Sequence, residues 1–486
     1  MRVLFRADAS QAIGAGHVMR CMSLASALKA RGAQTCFVAL DLPAHLESAL
    51  HAQGHEVRHL PESVRAEELA DARATLDGEQ SMVACVVDHY QLGRDWEAEV
   101  MAHAPVLALD DLGRSHTSRW LLDQNYYADP QARYATQCPD HVHRLLGPTF
   151  ALLRSEFAHA RASARVRDGV VRHVLVFMGG MDAGNLTATA LKAIDLGLSP
   201  GVQVTVIAGA SHPDLPGLQA WCDYRGLATL HVQVSDMTPY LLAADIAIGA
   251  GGSSTWERCA CGLPTVAICL ADNQREVILE GARAGFLWGI DHIPAAGELA
   301  IVLQALAGAP GLVQHLSRQS LKVTDARGAG RVAELLMPKA MQVRQATTDD
   351  ARMIYEWRTA PEVMGASRNT ASFSFEDHCV WLKRVLQDPQ RLLLVGLHEG
   401  RDAGVVRFDI DIDIGRAEVS IFLAPEAMGA GLGRALLAAG EAKLRHEHPQ
   451  VTRVDAWVNA DNPRSFQLFQ HNGYTHQISR LEKETA

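Results

Sequence analysis

The first residue placed to do chemistry is a histidine behind a glycine loop. The segment Arg6-Ala7-Asp8-Ala9-Ser10-Gln11-Ala12-Ile13-Gly14-Ala15-Gly16-His17 leads from an apolar run into an amphipathic one. Gly14 and Gly16 let the backbone approach a ligand closely, and a helix starting here leaves its first N–H groups unpaired. The positive end of a helix disfavours a charged imidazole, so His17 is expected to be neutral and able to take a proton from water. A histidine that merely caps the turn would look the same.

A second loop offers a place for phosphates. Gly249-Ala250-Gly251-Gly252-Ser253-Ser254-Thr255-Trp256-Glu257 follows an apolar run and opens a helix. Glycines with Ser253 and Ser254 at a helix start form a diphosphate cradle. Glu257, one turn inside, can accept both hydroxyls of a ribose. A turn with a capping serine is the alternative. A further glycine turn, Met178-Gly179-Gly180-Met181-Asp182, is expected to face the same phosphates.

The third loop is Ala427-Met428-Gly429-Ala430-Gly431-Leu432-Gly433-Arg434, which suits a pyrophosphate through bare backbone amides. Upstream, Glu418 is a candidate base for an amine, or else an exposed strand residue. Asp409, Asp411 and Asp413 alternate onto one strand face, which would attract a cationic amine or simply be a solvated hairpin face.

The elements that must hold these loops follow from periodicity. Up to about residue 335, short β-rich runs alternate with amphipathic stretches, as in doubly wound α/β units. Strands are expected at Val3–Arg6, Thr35–Leu40, Met82–Asp88 and Val106–Leu109, then at Val174–Met178, Gln203–Ala208, Leu230–Val234, Ile246–Gly249 and Thr265–Cys269. The stretch from Gly147 to Arg165 has no strand pattern and marks a junction. Past Pro338 the pattern becomes α+β, with strands at Gln342–Gln345, Leu392–Leu397, Gly404–Ile414, Glu418–Leu423 and Val454–Asn459. The division expected is therefore 1–160, 161–337 and 341–486. Two Rossmann-like halves would place a ligand cleft at their strand C-termini.

Composition narrows the classes. A chain of 486 residues exceeds one ordinary core. A net charge of −10 leaves no basic surplus for nucleic acid. The nine cysteines lack metal-ligand spacing, and Cys36, Cys85 and Cys269 lie in apolar runs, which suits a reducing compartment. No apolar run reaches spanning length and none resembles a signal peptide, so a cytoplasmic protein without a membrane partner is expected. No carboxylate cluster with metal-ligand spacing was found in the first two units, so no metal is expected there.

With these words in order along the chain, residues 1 to about 335 resemble the UDP-2,4-diacetamido-2,4,6-trideoxy-β-L-altropyranose hydrolases of pseudaminic acid biosynthesis, GT-B relatives of the MurG glycosyltransferases. The matching words are Arg6-Ala7-Asp8, Gly14-Ala15-Gly16-His17-Val18-Met19-Arg20, Val87-Asp88-His89-Tyr90, Leu109-Asp110-Asp111, Leu146-Gly147-Pro148-Thr149-Phe150, Gly179-Gly180-Met181-Asp182, Gly251-Gly252-Ser253-Ser254-Thr255-Trp256-Glu257 and Asp272-Asn273-Gln274. The resemblance implies that water attacks the anomeric carbon and UDP leaves without a metal. It implies His17 as base, Tyr90 and Asn273 at the sugar, Glu257 at the ribose, and backbone near Asp236-Met237-Thr238 at uracil. Arg6, Asp8, Gly16, Gly180, Met237, Gly252, Ser253, Ser254 and Gln274 complete the substrate set it implies.

Residues 341 to about 480 resemble the GNAT acetyltransferases, through Val343-Arg344-Gln345-Ala346-Thr347, Trp357-Arg358, His378 with Trp381, the glycine loop, and Asn459-Ala460-Asp461-Asn462-Pro463-Arg464-Ser465. The fold class expected is thus α/β, two Rossmann-like GT-B halves followed by an α+β GNAT domain. Acetyl-CoA is the implied cosubstrate, held by Leu423, Gly429, Ala430, Gly431, Gly433, Arg434, Asn459, Asn462 and Ser465. Two departures stand out. Met428 replaces a polar loop residue, and Phe469 stands where a tyrosine often protonates the departing thiolate. A glycosyltransferase carrying a non-catalytic CoA-binding or scaffold domain is the competing reading.

Overall fold

The computed structural model describes residues 2–10, 14–65, 67–79, 82–180, 182–337, 341–366, 373–428, 432–458 and 462–475. They form two compact units, one ending at Met337 and one following it.

The first unit contains two parallel sheets. One comprises β1 (Arg2–Ala7), β2 (Gln34–Ala39), β3 (Glu56–His59), β4 (Ala84–Asp88), β5 (Val106–Leu109), β6 (Trp120–Asp123) and β7 (His143–Leu146). Its order is β3-β2-β1-β4-β5-β6-β7. The other comprises β8 (His173–Phe177), β9 (Gln203–Ala208), β10 (Ala228–Val232), β11 (Ile246–Ala250), β12 (Thr265–Ile268) and β13 (Trp288–Ile290), ordered β10-β9-β8-β11-β12-β13. Both are Rossmann orders, in which the chain winds outward one way, then crosses to the other side of the first strand. Helices cover both faces, which is why the central strands β1, β4 and β11 are almost continuously buried.

The topological switch points lie between β1 and β4 and between β8 and β11, where a crevice opens beyond the strand C-termini. The His17 loop follows β1, and the Gly249–Glu257 segment follows from β11. The two loops singled out for chemistry thus occupy the two crevices.

The boundary expected at residue 160 falls inside the Ser155–Ser163 helix. That helix packs with the second half, its Phe157 and Ala160 sharing a core with Trp256 and Leu241. The chain returns at the end of the unit. The Gly328–Leu336 helix buries Val332 and Leu336 in the core of the first half beside Val18 and Met22. The outgoing and returning crossings touch, because a Cβ on Gly328 would stand 2.3 Å from the Ala151 carbonyl oxygen. Arg331 Nη1 donates to Thr149 O at 2.8 Å beside them.

The second unit is a five-stranded sheet of β14 (Gln342–Gln345), β15 (Arg391–His398), β16 (Arg401–Asp411), β17 (Arg416–Leu423) and β18 (Arg453–Ala456) in sequential order. All pairs are antiparallel except β17 with β18. The Leu432–Glu447 helix covers one face over Val406, Phe408, Ala417 and Val419. The Ala351–Thr359 and Phe375–Gln387 helices cover the upper part of the other, over Leu393, Val395 and Val405. No helix among the described residues is long and apolar enough to cross a membrane.

Candidate functional site

His17 is the second residue of the Gly16–Lys29 helix and is 6% exposed. Its Nδ1 lies 2.9 Å from Asp88 Oδ1 and 3.1 Å from the Asp88 main-chain oxygen. Both neighbours only accept, so Nδ1 carries the hydrogen and Nε2 is left as the basic nitrogen. Asp88 closes β4 and is fully buried. Arg20, one helical turn beyond His17, grips it through Nε at 2.6 Å and Nη2 at 2.7 Å, and reaches Asp111 at 3.2 Å.

This arrangement corrects the expected electrostatics of His17. Burial does lower its pKa, but the Asp88 carboxylate outweighs burial, and the net shift is upward from 6.5. A carboxylate in direct contact dominates the diffuse partial charge of a helix end. Asp88 is itself held below the usual carboxylate range: burial raises it, and Arg20 and His17 more than offset that.

Tyr90 stands edge-on to His17 at 4.6 Å between ring centroids. Its hydroxyl is 3.5 Å from Asn273 Nδ2, on the Asp272–Arg283 helix of the second half. Burial and the neighbouring Asp111 push the phenol above its ordinary range. A second link across the cleft is the Arg133–Glu276 ion pair at 2.6 Å. His17, Tyr90 and Asn273 are therefore brought together. Gly16 is exposed with open space where a Cβ would point.

Arg6 and Asp8 lie elsewhere than expected. They are 1% and 3% exposed, behind the cleft rather than on its surface. Arg6 donates to Asp8 at 2.6 Å and through Nε and Nη2 to Asp71, which also accepts from Trp96 Nε1 at 2.8 Å. Asp8 also takes the Leu40 N–H and sits 3.2 Å from His89 Nε2. With the guanidinium committed to two buried carboxylates, the pair braces the loop and leaves no group for a substrate.

In the second half, Gly180 is exposed and its carbonyl abuts Gly209, where a Cβ would sit at 1.8 Å. The helix that follows is already capped. Asp182 accepts from Leu186 N at 2.9 Å, Thr187 N at 2.8 Å and Thr187 Oγ1 at 2.6 Å. The Ser254–Ala260 helix differs, since Ser253 makes no side-chain cap there. Of the two glycine turns, the one carrying Gly252, Ser253 and Ser254 is the less internally satisfied. Gln274 supports it: its Oε1 accepts Leu270 N at 3.1 Å, and its Nε2 would lie 3.7 Å from a Cβ on Gly252.

A cavity of about 10 Å³, room for about one water molecule, lies beneath this turn, lined by Phe177, Met237, Leu241, Ser254, Glu257 and Arg258. Met237 and Glu257, which the resemblance assigns to uracil and ribose, both line it. Glu257 is half-buried. Burial raises its pKa while Arg154 and Arg258 pull it down. Arg154 donates to Ser235 O at 2.6 Å, and Asp236 accepts from Thr238 N at 2.9 Å, fixing the loop before Met237.

In the second unit, β17 pairs with β18 only over Arg416–Val419 and continues to Leu423. Glu418 is exposed on β17, opposite Asp409 on one side and Asp455 on the other. Asp413 is in the turn after β16, so only Asp409 and Asp411 share a strand; the carboxylate row runs across strands instead. Arginines edge it, with Arg407 2.7 Å from Asp409 and Arg453 3.3 Å from Asp455. Farther up this face Arg407 lies over Trp381 at 5.7 Å, and Trp381 stacks on the buried His378. Arg358 is half-buried, and its pKa is lowered by burial and by Arg407; it has no carboxylate partner among the described residues.

Gly429, Ala430, Gly431 and Asn459 lie outside the described residues. Gly433 is the second residue of the Leu432–Glu447 helix, where a Cβ would touch Leu468 and Leu423 at 3.6 to 3.9 Å. Arg434 follows it, half-buried. Asn462 caps the Pro463–His471 helix by accepting Ser465 N at 3.0 Å. Phe469 is 7% exposed, 5.0 Å from the ring of Tyr474, whose hydroxyl donates to Glu441 at 2.7 Å. Among the described residues no three His, Cys, Asp or Glu side chains converge as a metal site.

Sequence reasoning passed over Asp88 and Arg20 as site residues. Both stood in the words quoted above, with Arg20 one turn after His17, which is the signal that would have found them.

The molecule is thus a pair of Rossmann-like halves followed by an α+β domain. Residues 341–475 match the family model described as an acetyltransferase (GNAT) domain. The first unit is similar to the UDP-2,4-diacetamido-2,4,6-trideoxy-beta-L-altropyranose hydrolase of Campylobacter jejuni subsp. jejuni, 25% identical over 289 residues, 59% of this chain and 98% of that protein. It is also similar to the spore coat polysaccharide biosynthesis protein SpsG of Bacillus subtilis, 23% identical over 69% of this chain and 98% of that protein. Among solved structures, MurG of Acinetobacter baumannii matches 69% of this chain and 99% of its own at 15% identity and a TM-score of 0.48.

Proposed function

We propose that the first unit hydrolyses a UDP-sugar at its anomeric carbon and that the second transfers acetyl from acetyl-CoA to an amino group of the same class of sugar nucleotide. The observation that carries the reading is the His17–Asp88 pair at one switch point, together with a glycine–serine turn lacking a side-chain cap, and Glu257, at the other. Water bound at the cleft gives a proton to His17 Nε2 as its oxygen bonds to the anomeric carbon. The bond from that carbon to the diphosphate oxygen breaks, and UDP leaves with the electron pair. Asp88 keeps the ring in the Nδ1–H tautomer and stabilises the imidazolium that forms. Glu257 holds the ribose hydroxyls, and the Gly252–Ser254 turn holds the diphosphate. Tyr90 and Asn273 close on the sugar between the halves.

In the second unit the amine nitrogen attacks the thioester carbonyl, the C–S bond breaks, and CoA departs as thiolate. Glu418, near the carboxylate row, takes the ammonium proton. The thiol pKa of about 8.5 makes the thiolate a tolerable leaving group without a tyrosine at Phe469. Arg358, close to Arg407 and without a carboxylate partner among the described residues, favours an acceptor that brings negative charge, as a nucleotide does. The relative's name suggests UDP-2,4-diacetamido-2,4,6-trideoxy-β-L-altropyranose as the substrate hydrolysed, and acetylation of UDP-4-amino-4,6-dideoxy-N-acetyl-altrosamine by the second unit is the step that would form it.

Incubation of the full chain with the UDP-4-amino sugar, with and without acetyl-CoA, is followed by NMR. The expected products are an N-acetylated free sugar and UDP only when acetyl-CoA is present. Transfer of the sugar to an added acceptor instead of water identifies a glycosyltransferase. Hydrolysis of the diacetamido substrate with no acetyl transfer to any amino sugar nucleotide makes the second unit a CoA-binding scaffold.

A further inference from the structure

Arg167 is 1% exposed and lies on the segment between the Ser155–Ser163 helix and β8. Its hydrogen-bond partners are all main-chain carbonyls. Nε donates to Ala244 O at 3.0 Å and Nη2 to Leu241 O at 2.7 Å, at the end of the Thr238–Ala243 helix. Nη1 donates to Cys261 O at 2.7 Å, just past the Ser254–Ala260 helix, and to Arg165 O at 3.0 Å. One planar cation therefore ties the negative ends of two helices together. Ser317 completes the anchor, accepting Arg167 N at 3.0 Å and donating to Gly262 O at 2.6 Å.

These are the two helices that flank the small cavity, the first through its N-cap Met237 and Leu241, the second through Ser254, Glu257 and Arg258. Leu241 belongs to both features, offering its side chain to the cavity and its carbonyl to Arg167. A buried guanidinium without a carboxylate partner costs free energy that an apolar filler would not. What it supplies is a fixed span between the helices, set by the spread of its N–H groups.

We propose that Arg167 is a positioning residue of the nucleotide site, holding the two helices at the spacing that the nucleoside of the bound nucleotide requires. This rests on the reading of Met237 and Glu257, one at each helix, as the nucleoside end of a UDP-sugar site. Arg167→Met keeps the volume and removes every donor. Arg167→Lys keeps the charge and three donors on a single atom, which cannot span both helices equally.

The test titrates UDP into the full-length chain by calorimetry and measures hydrolysis of the UDP-sugar. Arg167→Met is expected to weaken UDP by about tenfold with stoichiometry near one, and to raise KM similarly with kcat within about twofold. Arg167→Lys is expected to fall between, at about threefold, and stands in if the methionine variant does not fold. A residue that only stabilises the fold gives the opposite split, with stoichiometry and kcat falling together while Kd and KM hold. That result, or an unchanged Kd in the folded lysine variant, overturns the inference alone. A wild-type chain that binds no UDP removes the nucleotide reading and the inference with it.

Discussion

Asp88 decides what His17 can do, and two substitutions separate their parts. A base must be neutral to accept a proton, and Asp88 raises the His17 pKa above 6.5, so kcat/KM of UDP release should climb with pH through that raised value. Asp88→Asn should shift the rise to lower pH and reduce the plateau by about 10²–10⁴-fold, because Nδ1 loses its fixed acceptor. His17→Ala should abolish the rise while UDP still binds. A plateau within a few-fold of wild type in either variant removes the pair from the reaction. Glu257 is tested by binding alone. Glu257→Ala should cost UDP about 2–3 kcal/mol through lost hydrogen bonds to a charged acceptor. Wild type should discriminate UDP from 2′,3′-dideoxy-UDP in the same calorimeter, and equal affinity for both would take Glu257 off the ribose.

At the scale of elements, the ends of β5 and β6 meet over a single hydroxyl. Tyr134 Oη lies 3.0 Å from Asp110 Oδ2 and 2.9 Å from Asp123 Oδ2. One hydroxyl proton cannot serve two carboxylates, and burial pushes Asp123 up to about 7. Asp110, held by His116 and Arg114, stays ionised below the usual range despite its burial. A carboxyl whose folded pKa is raised stabilises the fold below its unfolded value, near 3.8, and loses that contribution as pH rises toward 7. Thermal melts should therefore show the Tm falling between about pH 4 and pH 7, and Asp123→Asn, which donates permanently to Tyr134, should flatten that fall. An unchanged slope would mean that Asp123 is ionised throughout.

The elements also show what a sequence discloses. Strands buried on both faces, such as Gln203–Ala208, read as apolar runs and were legible to the residue. Glu56–His59, Trp120–Asp123, His143–Leu146 and Trp288–Ile290 were missed, being three or four residues long, and Glu56–His59 carries charged or polar side chains at all but one position. His17 and Glu257 were legible because glycine loops announce them locally. Asp88 is 71 residues from His17, and Asp71 is 65 from Arg6. Spacing along the chain does not pair residues so far apart, so the sequence does not show that the Arg6 guanidinium is engaged by Asp71 as well as Asp8.

At the scale of the molecule, each unit has its own sheets and its own hydrophobic clusters. Residues 1–337 expressed alone should hydrolyse the diacetamido sugar nucleotide without acetyl-CoA, and residues 341–486 should fold alone, as circular dichroism and activity would show. An inactive or insoluble first fragment would make the units interdependent. Eight of the nine cysteines are buried, with only Cys379 half-exposed, so both fragments should tolerate purification without oxidative cross-linking.

The paired crossings at Ala151 and Gly328 have a mechanical meaning. Two bodies joined by a single strand can twist and slide, but two strands lashed side by side leave one pin to swing on. Rotation about that contact is then the expected path for loading and unloading the cleft, with Gly328 at its closest approach. Gly328→Val forces a side chain against the Ala151 carbonyl, so it should slow turnover at saturating substrate more than it weakens UDP at equilibrium.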